Sequence, residues 1–90
     1  MRVELLLHSG CRFAQATHEL LQECLRTLVI AAPVLVRVGD CPSPTVLING
    51  IDVMGASPEQ LTGNACRLDI PTRERILTVL TAQLTAESTG

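Results

Sequence analysis

The chain has 90 residues, of which 47% are apolar and only Phe13 is aromatic. This length suffices for one domain with one hydrophobic core, which must be packed from aliphatic side chains. The formal net charge is −2 and the seven basic residues are arginines scattered along the chain, so the sequence lacks the basic stripe that neutralises phosphates and we expect no nucleic-acid partner.

The longest apolar run extends from Leu28 to Val36, is interrupted by Pro33, and is shorter than the roughly 20 residues that span a bilayer. The first ten residues carry an acid inside their apolar stretch and lack the cleavage site of a signal peptide. We therefore expect a cytoplasmic protein that does not bind membranes. In that compartment the four cysteines are expected to be reduced thiols, metal ligands or catalytic groups rather than structural disulfides.

The first third of the chain predicts a strand, a helix and a second strand. Residues 2–8, RVELLLH, are rich in branched apolar side chains and end at a Ser-Gly turn, as a buried strand does. From Arg12 the apolar residues recur at helical spacing until Ala31-Ala32-Pro33 ends the helix. Residues 34–38, VLVRV, predict the second strand. Short connections make this a right-handed unit with two parallel strands.

The remainder predicts a hairpin and a closing helix. TVLING and IDVMG flank Asn49-Gly50, and both of these residues tolerate the positive φ of a type I′ turn, so strands three and four are expected to be antiparallel. Ser57-Pro58 with Gln60 predicts one short helical turn. Pro71 opens a final helix whose apolar residues share one face.

The predicted order β-α-β-β-β-α is that of a thioredoxin-like core, an α/β fold with a four-stranded mixed sheet and two main helices. The usual helix between strands two and three is missing, because only residues 39–43, GDCPS, connect them. Five or six extended residues reach roughly 16 to 20 Å, enough to cross the roughly 10 Å of two strand spacings over the end of strand one. We expect one such domain over residues 1–86 and a flexible tail over residues 87–90.

This topology brings three of the four cysteines to one edge of the predicted sheet. Cys11 follows strand one in the first turn of helix one, where the unsatisfied N–H groups stabilise a thiolate. The connection that carries Cys41 passes over the end of strand one, and Cys66 lies in the segment to which strand four returns. Incidental burial is the alternative for each of them. Cys24 belongs to the apolar stripe of helix one and is expected to be a core residue.

Four further residues adjoin these thiols. His8 precedes Cys11 by three residues and is suited either to accept its proton or to bond to backbone at the strand end. Arg12 and Arg67 each follow a cysteine and would stabilise its thiolate, although solvated surface arginines are the commoner case. Phe13 is expected either to form an apolar wall for an organic group or to pack under the crossing connection.

Two short segments resemble the thioredoxin family. SGCRFA, residues 9–14, with the helix after it resembles the active-site turn, and SPT, residues 43–45, resembles the cis-proline loop. The resemblance implies a cis peptide bond between Ser43 and Pro44, with both residues in a loop that meets substrate. The second cysteine of the family motif is replaced by Ala14, so dithiol exchange between these two positions is excluded.

A second resemblance points to soft-metal chemistry. SPTVLING with the downstream ACRLD is similar to small bacterial thioredoxin-like proteins related to alkylmercury lyases, in which Cys-x-x-Asp and a distant second cysteine carry the chemistry. The resemblance implies that Cys66, with Cys11 or Cys41, binds the metal and that Asp69 delivers a proton to the departing carbanion. Capping the last helix is the alternative role for Asp69.

Several functions therefore stay open. The first is a lyase-like enzyme that uses Cys11, Cys41, Cys66 and Asp69, and the second is a carrier that binds mercury, copper(I) or zinc through the three thiols. The third is a monothiol redox protein in which Cys11 forms a transient disulfide with Cys41 or Cys66, or a mixed disulfide with a small thiol. A scaffold with inert cysteines is the fourth. The expected partner is a thiol-reactive molecule or a soft metal, and the unpaired edge of strand two suits a monomer or a weak homodimer.

Overall fold

A computed structural model describes residues 1–39, 43–55 and 70–89. Its elements in chain order are β1 (Val3–Leu7), α1 (Ala14–Thr27), β2 (Val34–Val38), β3 (Thr45–Ile48), β4 (Ile51–Asp52) and α2 (Arg73–Thr89). The predicted α/β class with a four-stranded mixed sheet and two helices is confirmed. The short turn predicted at residues 57–60 and the connection through residues 40–42 lie outside the described residues.

The strands follow the order β2-β1-β3-β4, so β1 is central and β2 is an edge, as predicted. β1 is parallel to β2, with Val3 beside Val34, and antiparallel to β3, with Val3 beside Ile48. β3 and β4 form the predicted hairpin. Asn49 has a φ of 52° and Gly50 a φ of 83°, the left-handed conformation that these two residue types adopt most readily in a two-residue turn.

Helix α1 is shorter than its apolar pattern predicts at both ends. Gly10, at a φ of 86°, turns the chain after β1, and the Cys11 N–H donates to the His8 carbonyl over 3.1 Å, so a turn forms first and the helix begins at Ala14. Cys11 thus precedes the helix and does not lie in its first turn, which corrects the prediction. The helix ends at Thr27, ahead of the predicted Ala31-Ala32-Pro33 break.

Both helices pack on one face of the sheet. The buried cluster takes alternate residues of β1 and β3, and it consists of Val3, Leu5, Leu21, Cys24, Leu25, Val46, Ile48, Val53, Ile76 and Leu80. Cys24 is fully buried here, which confirms its predicted core role. Burial raises the pKa of the Cys24 thiol, against the opposing effect of the Arg73 guanidinium.

The opposite face of the sheet carries a buried carboxylate that is ion-paired with two exposed arginines. Glu4, only 4% exposed, lies on central strand β1, and its carboxylate accepts from Arg2 Nε at 2.9 Å and from Arg37 Nη2 at 3.3 Å. These two partners compensate the desolvation of the carboxylate.

Among the described residues, neither helix combines the length and apolar character that a membrane-spanning segment needs. The domain limit at residue 86 and the flexibility of the tail stay predictions, while α2 itself continues to Thr89.

Candidate functional site

Cys11 lies just beyond the C-terminal end of the central strand. Its side chain is buried, with 8% exposure, while Gly10 and Arg12 on either side are exposed. The turn is held by the hydrogen bond from Cys11 N–H to the His8 carbonyl and by one from Ala14 N–H to the Cys11 carbonyl at 3.3 Å. The turn therefore holds the thiol beneath the surface at one end of the sheet.

The segment that enters β3 lies at this same end. Leu6 is beside Thr45 in the β1–β3 register, and continuing that register by two residues brings His8 level with Ser43. Ser43, Pro44 and Thr45 are all buried, and the Ser43–Pro44 peptide bond is cis, the isomer that the resemblance to the thioredoxin family predicts. Adjacent strands thus bring the Cys11 turn and the cis-proline segment to one end of the sheet.

Two buried polar atoms at this end have no hydrogen-bond partner within the described part of the chain. They are Nδ1 of His8 and Oγ of Ser43. Burying a polar group without a partner is unfavourable, and the great majority of such groups in folded proteins are paired. The bond to backbone expected as one alternative for His8 is not present at Nδ1. Both atoms therefore retain capacity to bind a group that enters from outside.

Arg12 and Phe13 form a pair on the exposed side of the turn. The guanidinium carbon of Arg12 lies 4.8 Å from the centroid of the Phe13 ring, within the range of a cation–π contact. Phe13 is also the N-cap residue of α1, and its side chain makes no capping hydrogen bond. The ring is half-buried, so Phe13 both begins the helix and stacks against a cation. Its expected role as an apolar wall for substrate stays a prediction.

The other predicted site residues, Cys41, Cys66, Arg67 and Asp69, lie outside the described residues. Within residues 1–39, 43–55 and 70–89, no group of three or more His, Cys, Asp and Glu side chains is arranged to hold a metal ion. The predicted three-thiol site on Cys11, Cys41 and Cys66 is therefore not tested by the described geometry. The predicted roles of Cys11, Cys41, Cys66 and Asp69 in catalysis, and of the three cysteines in metal binding, stay predictions.

The described residues that flank residues 40–42 and 56–69 can be placed relative to Cys11. Gly39, which precedes residues 40–42, donates its N–H to the Leu7 carbonyl over 3.0 Å at the end of β1. Ser43, which follows them, lies at the start of β3. Beyond β4, the Val53 N–H donates to Val46 over 3.1 Å, so this strand also returns toward the Cys11 end. Gly39, Ser43 and Val53 thus all lie toward the end of the sheet where Cys11 lies.

Two features of the structure had no counterpart in the predicted site. The Glu4 ion pair was signalled only by an acid inside an apolar strand, with Arg2 two residues before it. The unpartnered state of Ser43 Oγ depends on its three-dimensional surroundings and has no local signal. An open groove of mixed polar and apolar character, lined in part by Met1, Ile30 and Glu87, lies at the opposite end of the sheet, away from Cys11.

Comparisons of the chain with protein-family models, with curated proteins and with solved structures gave no match. The two resemblances therefore depend on the short segments at residues 9–14, 43–50 and 65–69.

Proposed function

We propose that this chain is a thioredoxin-like monothiol protein in which Cys11 forms a mixed disulfide with one half of a small disulfide substrate. The observation that carries the proposal is the position of Cys11 just beyond the end of the central strand, at the same end of the sheet as two buried polar atoms that have no partner among the described residues, His8 Nδ1 and Ser43 Oγ. The strand order β2-β1-β3-β4, with both helices packed on one face, supports the thioredoxin-like assignment.

The proposed reaction is thiol–disulfide exchange. The Cys11 thiolate attacks one sulfur of a disulfide, a new sulfur–sulfur bond forms, the old one breaks, and the other sulfur leaves as a thiolate. A second external thiol then attacks the mixed disulfide and regenerates the Cys11 thiolate. The net reaction exchanges one thiol of the original disulfide for another, so no further oxidant or reductant is needed. Because Ala14 occupies the usual position of the resolving cysteine, the mixed disulfide persists until that second thiol arrives.

His8 and Ser43 have separate roles in this proposal. His8 belongs to the same turn as Cys11, and a rotation that carries its Nδ1, which has no partner among the described residues, to the thiol lets the imidazole accept the thiol proton before attack. The Ser43 hydroxyl lies level with His8 in the extended strand register, and it donates a hydrogen bond to a polar group of the bound substrate. Each role uses a buried polar atom for which the described residues offer no partner.

The test compares the reactivity of Cys11 and Cys24 in the folded chain. The reduced protein is mixed with an aromatic disulfide that releases a coloured thiolate, and modified cysteines are identified by peptide mass mapping. We expect Cys11 to react first, and Cys24 to stay unmodified until the chain unfolds because burial raises its pKa and closes off access. Cys11→Ser should abolish the first phase of thiolate release, whereas Cys24→Ala, the matched control, should retain it.

The proposal is wrong if Cys11 in the folded wild type reacts no faster than Cys24. A role for His8 is tested separately by His8→Asn, which keeps a polar side chain of similar shape but cannot accept the proton in the same pH range. This variant should lower the exchange rate near neutral pH and leave the rate in strong alkali unchanged, because the thiolate is then formed by hydroxide. A uniform decrease at every pH would indicate a structural role for His8.

A second candidate function is soft-metal handling by Cys11, Cys41 and Cys66 with Asp69, the alkylmercury-lyase-like function. The observation that favours it is that β2 and β4, the strands that precede residues 40–42 and 56–69 in the chain, both run toward the Cys11 end of the sheet. In this reaction the carbon–mercury bond breaks, Asp69 transfers a thiol proton to the carbon, and Hg(II) stays on two thiolates.

Two measurements separate this candidate from thiol exchange. Native mass spectrometry with Hg(II) should show one ion per chain, lost in Cys11→Ser, and headspace analysis should detect the hydrocarbon from an alkyl mercurial. Asp69→Ala should keep mercury binding and lose hydrocarbon release. If hydrocarbon is absent while the wild type binds Hg(II), the lyase activity is rejected and metal binding alone remains.

A further inference from the structure

Strand β2 is an exposed apolar edge. Leu35 and Val36 are each 45% exposed and Val38 is 63% exposed, and within the described residues β2 pairs with β1 alone. Natural edge strands usually carry lysine, proline or a bulge that blocks further pairing. The residues of β2, VLVRV, include none of these, and the only charged side chain among them, Arg37, is ion-paired with Glu4 of the same chain.

The unpaired backbone groups of β2 belong to its three valines. The Gly39 N–H points to β1, where it donates to the Leu7 carbonyl. Because backbone groups alternate along a strand, those of Leu35 and Arg37 also face β1. The N–H and C=O groups of Val34, Val36 and Val38 therefore point outward. Their side chains share the helix-covered face of the sheet, where Val34 contacts the core.

We propose that β2 pairs antiparallel with β2 of a second copy of this chain, around a two-fold axis at Val36. In this register Val36 lies opposite itself and Val34 lies opposite Val38, so each outward-facing valine exchanges backbone hydrogen bonds with a valine of the other copy. All five residues of the strand are paired. The four strands of each copy then form one continuous sheet.

Side-chain chemistry selects this register over its neighbours. Valine opposite valine is a favourable cross-strand pair, and Leu35 lies opposite Arg37 on the other face, so no like charges are directly opposed. If one copy is shifted by one residue, the residues whose backbone groups point outward lie opposite residues whose backbone groups face β1 of their own copy. The hydrogen bonds between the two copies are then lost. A two-fold axis at Arg37 places this arginine opposite its own copy, and an axis at Leu35 pairs fewer residues of the strand.

A second copy fits this edge because the edge is complementary to itself in both hydrogen-bond direction and charge. Stable protein interfaces usually bury about 1,200 Å² or more in total, and a pair of five-residue strands buries less than that. The dimer should therefore be weak and concentration-dependent, and it should leave the Cys11 turn at the end of β1 accessible.

The test is sedimentation velocity of the full chain from about 1 µM to about 1 mM, a range over which mass action populates a weak dimer. We expect the mass to rise from 9.7 kDa toward twice that value. Val36→Lys and Val36→Glu should each stay monomeric, because identical charges face each other at the axis. An equal mixture of the two variants should recover the dimer, because lysine then faces glutamate.

Ile51→Lys provides the matched control, because Ile51 is 47% exposed on the opposite edge strand β4. This variant should dimerise like the wild type. Thermal unfolding followed by circular dichroism verifies that each variant is folded. The proposal is overturned if the wild type stays at 9.7 kDa throughout, if Ile51→Lys dissociates the dimer, or if the mixture of charged Val36 variants remains monomeric.

Discussion

The two ends of the sheet differ in how they satisfy their polar groups. At the hairpin end, Asn49 exchanges backbone and side-chain hydrogen bonds with Arg2: its N–H donates to the Arg2 carbonyl over 2.7 Å and its Oδ1 accepts from the Arg2 N–H at 2.8 Å. Asn49 Nδ2 also donates to Gln83 Oε1 over 2.9 Å. The terminal amine of Met1 is ion-paired with Glu87 at 3.3 Å. These bonds connect β1, the hairpin and α2.

At the Cys11 end, by contrast, His8 Nδ1 and Ser43 Oγ are buried without a partner among the described residues. The hairpin end thus uses its hydrogen-bonding capacity for stability, while the Cys11 end retains part of it beside a thiol. Local departures from complete satisfaction are expected at functional sites, because binding groups must stay available. The contrast predicts that removing a hydrogen-bonded side chain at the hairpin end lowers stability, whereas removing the side chain of Ser43, which has no partner among the described residues at the Cys11 end, raises it.

The largest effect is expected from Asn49→Ala at the hairpin end. Alanine loses the side-chain bonds to Arg2 and Gln83 and must also adopt a φ of 52°, which an L-residue with a β-carbon disfavours. Together these changes should lower the free energy of unfolding by about 2 kcal/mol. Urea unfolding followed by circular dichroism measures the change.

Asn49→Gly separates the two contributions at this position. Glycine adopts the positive φ freely and loses only the side-chain hydrogen bonds, so it should cost about 1 kcal/mol, less than alanine. Equal costs for the two variants would mean that backbone conformation contributes nothing at Asn49. If neither variant is less stable than the wild type, the Asn49 hydrogen bonds do not contribute to stability and the contrast between the two ends fails.

Val29, at the hairpin end, has a backbone conformation that is unfavourable for a valine. It follows the C-terminus of α1 at a φ of 54° and is 90% exposed. Its N–H donates to the Arg26 carbonyl, and the Ile30 N–H donates to Leu25, the bonding of a Schellman motif whose left-handed position is usually glycine. Val29→Gly should therefore raise the free energy of unfolding by about 1 kcal/mol.

The matched control for this position is Val29→Ala. Alanine keeps the β-carbon that opposes the left-handed conformation and removes the same exposed methyl groups, so its stability should stay close to that of the wild type. A gain in the alanine variant as large as in the glycine variant would show that the valine side chain, not its backbone conformation, is unfavourable here.

At the Cys11 end, Ser43→Ala should behave opposite to Asn49→Ala. Removing a buried hydroxyl that has no partner among the described residues should raise the free energy of unfolding by about 0.5 kcal/mol, because the variant no longer buries a polar group whose desolvation no hydrogen bond compensates. The same variant should slow mixed-disulfide formation at Cys11, an effect that a purely structural serine would not produce. Both are measured on one preparation, by urea unfolding and by thiolate release.

Thr45→Val is the control for Ser43→Ala. Thr45 is equally buried, has the same kind of hydroxyl, and takes part in an interaction within the chain, while valine has a similar shape without the hydroxyl. This variant should be less stable than the wild type by about 1 kcal/mol. A loss of stability in Ser43→Ala as large as in Thr45→Val would indicate that the Ser43 hydroxyl is satisfied, and the proposed substrate contact would lose its basis.

The order and pairing of the elements could be predicted from the sequence because local signals agree with the fold. Residues 34–38 alternate and form β2 over that range, and Asn49-Gly50 determines the hairpin register through its backbone preferences. The edge position of β2 followed from connection lengths and handedness. In each case the decisive information lies within a few neighbouring residues.

The details of the site could not be predicted because they depend on a backbone turn that has no side-chain signal and on contacts between distant segments. The apolar period of α1 does not reveal that the Gly10 turn delays the helix until Ala14, since that turn is stabilised by backbone groups common to every residue. Whether Ser43 Oγ finds a partner depends on what surrounds it in space. The burial of Glu4 likewise requires Arg37 from a strand thirty or more residues away.

The smallest expected effect is the pH dependence of stability that comes from Cys24, the thiol in the core, in contrast to Cys11 at the sheet end. Burial raises the pKa of Cys24 above its ordinary value of 9.0, so the folded state favours the neutral thiol more than the unfolded state does. The stabilising contribution of Cys24 is therefore complete below pH 9.0 and is lost as the pH rises through its folded pKa. Unfolding measured at a series of pH values should show a steeper alkaline loss in the wild type than in Cys24→Ala, while Cys24→Ala leaves the exchange rate of Cys11 unchanged. Identical alkaline slopes would show that Cys24 titrates alike in both states, and the core thiol would then differ from Cys11 in access alone.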